Sequence, residues 1–101
     1  MRIHFERTGG VGGTRMSCEI ASERLGPEEQ RQLDQLVADS GFFEMRAARS
    51  HDPDGADRFE YAITIDTGSG RHALRVAEAR VPARLRPLIG WLTKAAQHAR
   101  P

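Results

Sequence analysis

The sequence has only one cysteine, Cys18, among its 101 residues, so no disulfide can form within the chain. It also has no long apolar run, either near Met1 or further along, that would suggest a secretory signal or a membrane-spanning helix. We therefore expect a reducing, cytoplasmic location, no membrane association, and a fold stabilised by packing alone.

An excess of charge of one sign is also missing. Fifteen basic and fourteen acidic side chains are scattered along the chain and give a formal net charge of +1. No basic stripe is present that would release counterions from a phosphate backbone, so the sequence predicts no nucleic-acid partner. With 39% hydrophobic residues, the chain is apolar enough to fold. Its length predicts one domain over residues 1–101. We expect a monomer when the protein is free.

Catalytic and metal-binding motifs are scarce. The four histidines are not spaced as metal ligands on a helix, and no serine lies in a nucleophile motif. Cys18 shares an apolar strand face with Met16 and Ile20, which favours core packing over reactivity. We expect no enzyme activity, no metal and no cofactor. A small enzyme that uses His72 with Glu78 is a minor alternative. The histidines are His4, His51, His72 and His98.

Two pairs of strands are predicted by period-2 alternation of apolar side chains. Residues 2–6 and 15–20 alternate in this way on either side of a glycine cluster, and residues 58–65 and 71–77 do so around Gly68-Ser69. A two-residue turn at Gly68-Ser69 places Ile65 opposite His72. An extra residue in the turn would put every apolar side chain opposite a polar one, so we expect the even register.

Helical spacing predicts one helix after each hairpin. The first begins with Pro27 at its first helical position and ends near Gly41, and Phe42 and Phe43 then anchor the end of the core. A polar surface loop is expected from Glu44 to Asp57. The second helix begins close to Pro87. The predicted fold is α+β: a four-stranded antiparallel sheet with both helices on one face, in the order ββαββα.

Four glycines surround one apolar residue in the segment Gly9-Gly10-Val11-Gly12-Gly13. A phosphate-binding loop needs a helix immediately downstream, but a strand follows here, so phosphate binding is disfavoured. Two interpretations stay open. The segment is either a hairpin connection that needs positive φ angles, or a narrow loop that enters the cleft of another protein.

The glycine segment and several later motifs together resemble the emfourin family. The resemblance covers nearly the whole chain and implies a bacterial protein inhibitor of protealysin-like metalloproteinases, which belong to the thermolysin family. It implies no turnover and no cofactor. The motifs are Gly9-Gly10-Val11-Gly12-Gly13, Leu33 to Leu36 followed by Phe42-Phe43, Phe59-Glu60-Tyr61, Arg71-His72, Val81-Pro82, Leu85 to Ile89 and Trp91-Leu92.

The resemblance also suggests which residues contact the proteinase. Thermolysin-like clefts favour a bulky apolar side chain on the primed side, and Val11 is flanked by glycines that allow close backbone approach. We therefore expect Gly9, Gly10, Val11, Gly12 and Gly13 to enter or cover the cleft. Polar loop residues, Asp52 and Asp54 among them, are expected to form further contacts. The alternative function is a non-enzymatic adaptor that docks a partner through a strand edge or helix face.

Overall fold

The computed structural model describes residues 1–9, 14–45 and 59–98, and it confirms the order ββαββα. Single-turn 3₁₀ helices occur at Ser22–Arg24, Phe42–Glu44, Glu78–Arg80 and Ala83–Leu85. No helix in the described ranges is long and apolar enough to cross a bilayer. The strands are β1 (Arg2–Gly9), β2 (Thr14–Ala21), β3 (Phe59–Asp66) and β4 (Arg71–Ala77), and the helices are α1 (Pro27–Ser40) and α2 (Arg86–His98).

The four strands form one antiparallel sheet in the order β2-β1-β3-β4. Ile65 lies opposite His72 in the second hairpin, as the alternation predicts. The amide of Thr67 donates to the carbonyl of Gly70 over 3.0 Å, which closes the two-residue turn. Gly68 has φ of 88°, a backbone conformation that glycine adopts at little cost.

The even register gathers the apolar side chains on one face of the sheet. Ile3 faces Ile20 and Ile65, and Phe5 faces Cys18 and Ile63 across the neighbouring strands. Both helices cover this face with buried side chains. Each fully buried aliphatic or aromatic side chain contributes about 1.5–3 kcal/mol. The fully buried large side chains are Ile3, Phe5, Leu33, Phe42, Ile63, Ile65, Leu85, Leu88 and Leu92.

Local capping sets the ends of α1. Pro27 takes the first helical position after Gly26, and Gly41 ends the helix with a left-handed φ of 66°. The buried hydroxyl of Ser40 donates to the carbonyl of Val37 over 2.7 Å. It also accepts from the amide of Phe42 over 3.2 Å, so the last turn leaves few unpaired backbone groups.

The prediction that both phenylalanines after α1 would anchor the core is correct for only one of them. Phe42 is fully buried, whereas Phe43 is 47% exposed. The 3₁₀ turn that carries both directs their rings to different sides, and the rings meet edge to face at 5.6 Å. His72 contacts both rings, and its Nε2 lies 2.7 Å from the carbonyl oxygen of Met45. His72 is thus a satisfied histidine at the rim of the core.

The polar loop expected from Glu44 to Asp57 lies mostly outside the described residues. Within the described part, Glu44 closes the 3₁₀ turn that begins at Phe42 instead of starting a loop. The second helix agrees with expectation: α2 begins at Arg86, so Pro87 lies in its first turn, where a missing amide costs little. The described helix ends at His98.

Two glycine-to-alanine substitutions test the glycine argument. Gly41→Ala should lower the free energy of unfolding by about 1–2 kcal/mol, because an L-residue is strained at φ of 66°. The added Cβ would also meet the Arg84 guanidinium at 2.7 Å, and that flexible group would have to move. Urea unfolding measures the change.

Gly90→Ala is the matched control. Gly90 lies within α2, and a Cβ added there meets nothing within 4 Å. This substitution should therefore raise stability by about 0.5–1 kcal/mol. Equal effects of the two substitutions would contradict the assignment of Gly41 as a left-handed helix cap.

Candidate functional site

The structure describes only one residue of the candidate site. Gly9 ends β1 with φ of 104° and lies between Thr14 of β2 and Phe59 of β3. These three residues lie at the same end of neighbouring strands, and we call this the glycine end of the sheet. The other predicted contact residues lie outside the described residues, and their placement is not tested. They are Gly10, Val11, Gly12, Gly13, Asp52 and Asp54.

Both ends of the segment 10–13 are held by the sheet. Gly9 and Thr14 are paired, and the register continues without a break from there to the opposite end of β1. On the other side of β1, Phe59 pairs with Gly9. The guanidinium carbon of Arg7 lies 4.2 Å from the centre of the Phe59 ring, a cation–π contact that ties β1 to β3 here.

Segment 46–58 connects the two ends of the sheet. It follows Met45, whose carbonyl contacts His72 near the start of β4, and it precedes Phe59 at the glycine end. The carboxyl end of this segment therefore rejoins the sheet beside Gly9. The structure thus pairs Phe59, the first described residue after this segment, with Gly9, the last described residue before segment 10–13.

A pocket of about 360 Å³ opens beside the glycine end, between the sheet and α2. Arg7, Arg86 and Lys94 supply three positive charges to its walls, and Glu78 supplies one negative charge. Tyr61, Val81 and Ile89 in the lining are largely buried and apolar. We call this feature the cationic pocket. Its lining residues are Arg7, Tyr61, Glu78, Val81, Arg86, Ile89, Gly90, Thr93 and Lys94.

The Tyr61 hydroxyl lies at the wall of the cationic pocket, 3.5 Å from a carboxylate oxygen of Glu78. Burial is the main cause that raises the pKa of Tyr61, and the negative charge of Glu78 raises it further. Arg7 acts in the opposite direction but is outweighed. Tyr61 therefore stays a neutral donor, and it lies within reach of the Glu78 carboxylate.

Two weak signals of this pocket are present in the sequence. Arg7 occupies the apolar face of β1 after Ile3 and Phe5, so it breaks the alternation. Arg86, Gly90 and Lys94 recur every four residues and so share one side of α2. Nothing in the sequence shows that β1 and α2 meet, because these residues are far apart along the chain.

Catalytic combinations are not assembled among the described residues. His72 lies in β4, and Glu78 directly follows the end of that strand. Six residues of extended chain span about 20 Å, so the two side chains cannot act together. Cys18 is half-buried, and burial raises the pKa of its thiol. No group of three or more metal-ligating side chains occurs in the part of the chain that the structure describes.

Comparison with known proteins gives a family and a related structure. The family model of emfourin matches residues 5–93. Among solved structures, the chain is similar to emfourin from Serratia proteamaculans, described as an M4 family peptidase inhibitor. The two are 22% identical, with a TM-score of 0.50 over 92% of this chain and 87% of the other, which is a likeness of fold. Curated proteins give no match.

The environment of Cys18 predicts that its thiol reacts slowly with alkylating reagents. Because burial raises its pKa, less thiolate is present at mildly alkaline pH than in a free cysteine. Alkylation of the folded protein by iodoacetamide should be several-fold slower than alkylation of glutathione, and concentrated urea should remove the difference. Mass spectrometry follows the reaction. A folded-state rate above that of glutathione would contradict the assignment of Cys18 to packing.

Proposed function

This chain belongs to the emfourin family, and from that premise we propose that it inhibits a thermolysin-like zinc metallopeptidase of the M4 family. The observation that carries the proposal is the extent of the family match, which runs from β1 to the middle of α2. The Serratia protein of similar fold is itself described as an M4 family peptidase inhibitor. Family membership also confirms the expectation that the chain is not an enzyme.

We propose that the glycine segment, Gly9 to Gly13, enters or covers the peptidase cleft. The support is the anchoring of its ends. Gly9 ends a strand that is paired on both sides, and the buried side chains of Phe5 and Met16 lie behind it. A segment whose ends are already held loses less entropy on binding, so more of the contact energy appears as affinity.

Val11 is the proposed anchor within that segment. It is the one apolar residue between two pairs of glycines, and a thermolysin-like cleft accepts a bulky apolar side chain on its primed side. Glycine neighbours allow the backbone to approach a partner closely. We assign Asp52 and Asp54 to the edge of the contact, because their segment rejoins the sheet at Phe59, next to Gly9.

The remaining expectations complete the proposal. We propose a protein that acts as one domain over residues 1–101, is monomeric when free, works in the cytoplasm and binds neither nucleic acid nor membrane. The buried side chains form one cluster, which supports a single folding unit. The nearly balanced charge supports a protein partner over a polyanion.

A titration against thermolysin-family peptidases tests the function. The purified chain should abolish the activity of at least one enzyme of the panel at a stoichiometric ratio, and the chain should remain uncleaved on an electrophoretic gel. If no enzyme is inhibited while circular dichroism shows a folded protein, the inhibitor proposal is wrong and a docking role without inhibition is favoured.

Val11→Asp tests the site. A carboxylate in place of the apolar side chain should weaken inhibition by about 100-fold or more, because burying an unpaired charge costs several kcal/mol. Ser69→Asp is the matched control. It adds the same charge to an exposed turn at the end of the sheet away from Gly9, and inhibition should not change. Equal inhibition by the Val11→Asp variant and the original protein would place the contact elsewhere.

A further inference from the structure

The cationic pocket carries charge that the described residues do not neutralise. Arg7, Arg86 and Lys94 line it, and none of them forms an ion pair within the described ranges. Among the described residues of the lining, Glu78 is the one acidic side chain, and it lies against the Tyr61 hydroxyl. The described part of the lining thus carries a net charge of about +2, which favours a further negative group.

The outer face of the sheet shows that this arrangement is not typical of the molecule. The arginines on this face belong to β1, β2 and β4, and each of them is paired with a carboxylate on the same face. The pairs are Arg2 with Glu19 at 3.3 Å, Arg15 with Glu6 at 2.7 Å, Arg71 with Asp66 at 3.7 Å and Arg75 with Glu60 at 3.2 Å. The sheet therefore balances its charges locally, and the pocket does not.

The interior of the pocket suits an anion on an aliphatic stem better than a bare ion. Val81 and Ile89 are 8% and 6% exposed and give it an apolar lining, while the cations of Arg86 and Lys94 are exposed at its rim. Methylene groups would contact the apolar lining, and a planar carboxylate matches the fork of an arginine.

Gly90 provides an independent observation. It lies within α2, where glycine costs about 0.5–1 kcal/mol relative to alanine. A Cβ built there meets nothing within 4 Å, so no packing contact requires a glycine. Its effect is to leave the α2 wall of the pocket without a side chain between Arg86 and Lys94.

We propose that the cationic pocket binds a carboxylate on a short aliphatic stem, supplied from outside the chain. The two sources are an acidic side chain of the inhibited peptidase, which rests on the proposed function, and a free organic acid. The position of the pocket, close to the glycine end, favours the peptidase side chain over the free acid. Arg7 is two residues from Gly9 on β1, or about 7 Å, so a partner at the glycine end would also reach the pocket.

The isolated protein tests the assignment with glutarate as the probe, followed by backbone NMR at low salt, where screening is weak. Glutarate should shift the amides of Gly90, Thr93 and Lys94 saturably, with a dissociation constant on the order of 10 mM. Glutaramide has the same shape without charge and should not do so. Equal shifts with both compounds would overturn the proposal.

Charge variants locate the binding. Arg86→Gln and Lys94→Gln should each weaken glutarate binding by about 2- to 5-fold. Arg71→Gln removes the same charge from the outer face and should leave binding unchanged. If it weakened binding as much, the effect would come from net charge alone and the pocket would not be the site. The assignment would also fail if neutralising Asp52, Asp54 and Asp57 together strengthened binding, because the chain's own carboxylates would then be the occupants.

Filling the pocket is a second test. Gly90→Leu should abolish glutarate binding by occupying the open wall, whereas Gly90→Ala should retain it. Circular dichroism checks that both variants keep their helices. Retained binding by the Gly90→Leu variant would overturn the assignment.

A peptidase that the chain inhibits distinguishes the two sources. Replacing Arg86 and Lys94 together by glutamate should weaken inhibition by about 10-fold or more if the peptidase supplies the carboxylate, and Arg71→Glu should not weaken it. Unchanged inhibition with glutarate binding intact would assign the pocket to a free acid. If no peptidase is inhibited, the proposed function is wrong. The glutarate titration still shows whether the pocket binds a carboxylate.

Discussion

Strand β1 is paired along its whole length with β2 on one side and β3 on the other, and the rest of the structure depends on that double pairing. It puts Ile3 and Phe5 at the centre of the core, where both are fully buried. Because side chains alternate between faces, a slip of one residue would expose both and bury charged neighbours. At about 1.5–3 kcal/mol for each buried side chain, the slip would remove much of a small domain's stability.

Period-2 alternation, helical spacing and the backbone preferences of glycine and proline were enough to predict the fold. Ile65 faces His72, and Gly41 caps α1 in the left-handed conformation, as expected. These features depend on neighbours in sequence or on one hairpin. The exposure of Phe43 was not predictable in this way, because it depends on a 3₁₀ turn whose direction the surrounding elements set.

The candidate site was less accessible to sequence reasoning, for two different reasons. The glycine segment around Val11 was singled out by composition and resemblance, and the structure contributes the anchoring of its ends at Gly9 and Thr14. The cationic pocket needs Arg7 and Lys94 to come together from opposite ends of the chain. Local patterns do not contain such a contact, and only the break in alternation at Arg7 and the four-residue spacing on α2 pointed to it.

Arg7 links these features, since it belongs to the strand that carries the glycine segment and also to the wall of the pocket. Its guanidinium lies over the Phe59 ring, at the junction where segment 46–58 rejoins the sheet. Only a long side chain with a weakly hydrated charge can cover an aromatic ring and still present donors to a cavity. A carboxylate bound in the pocket would favour one orientation of this side chain over the alternatives. Because the same guanidinium holds β1 and β3 together at the glycine end, a carboxylate bound in the pocket would act directly on that contact.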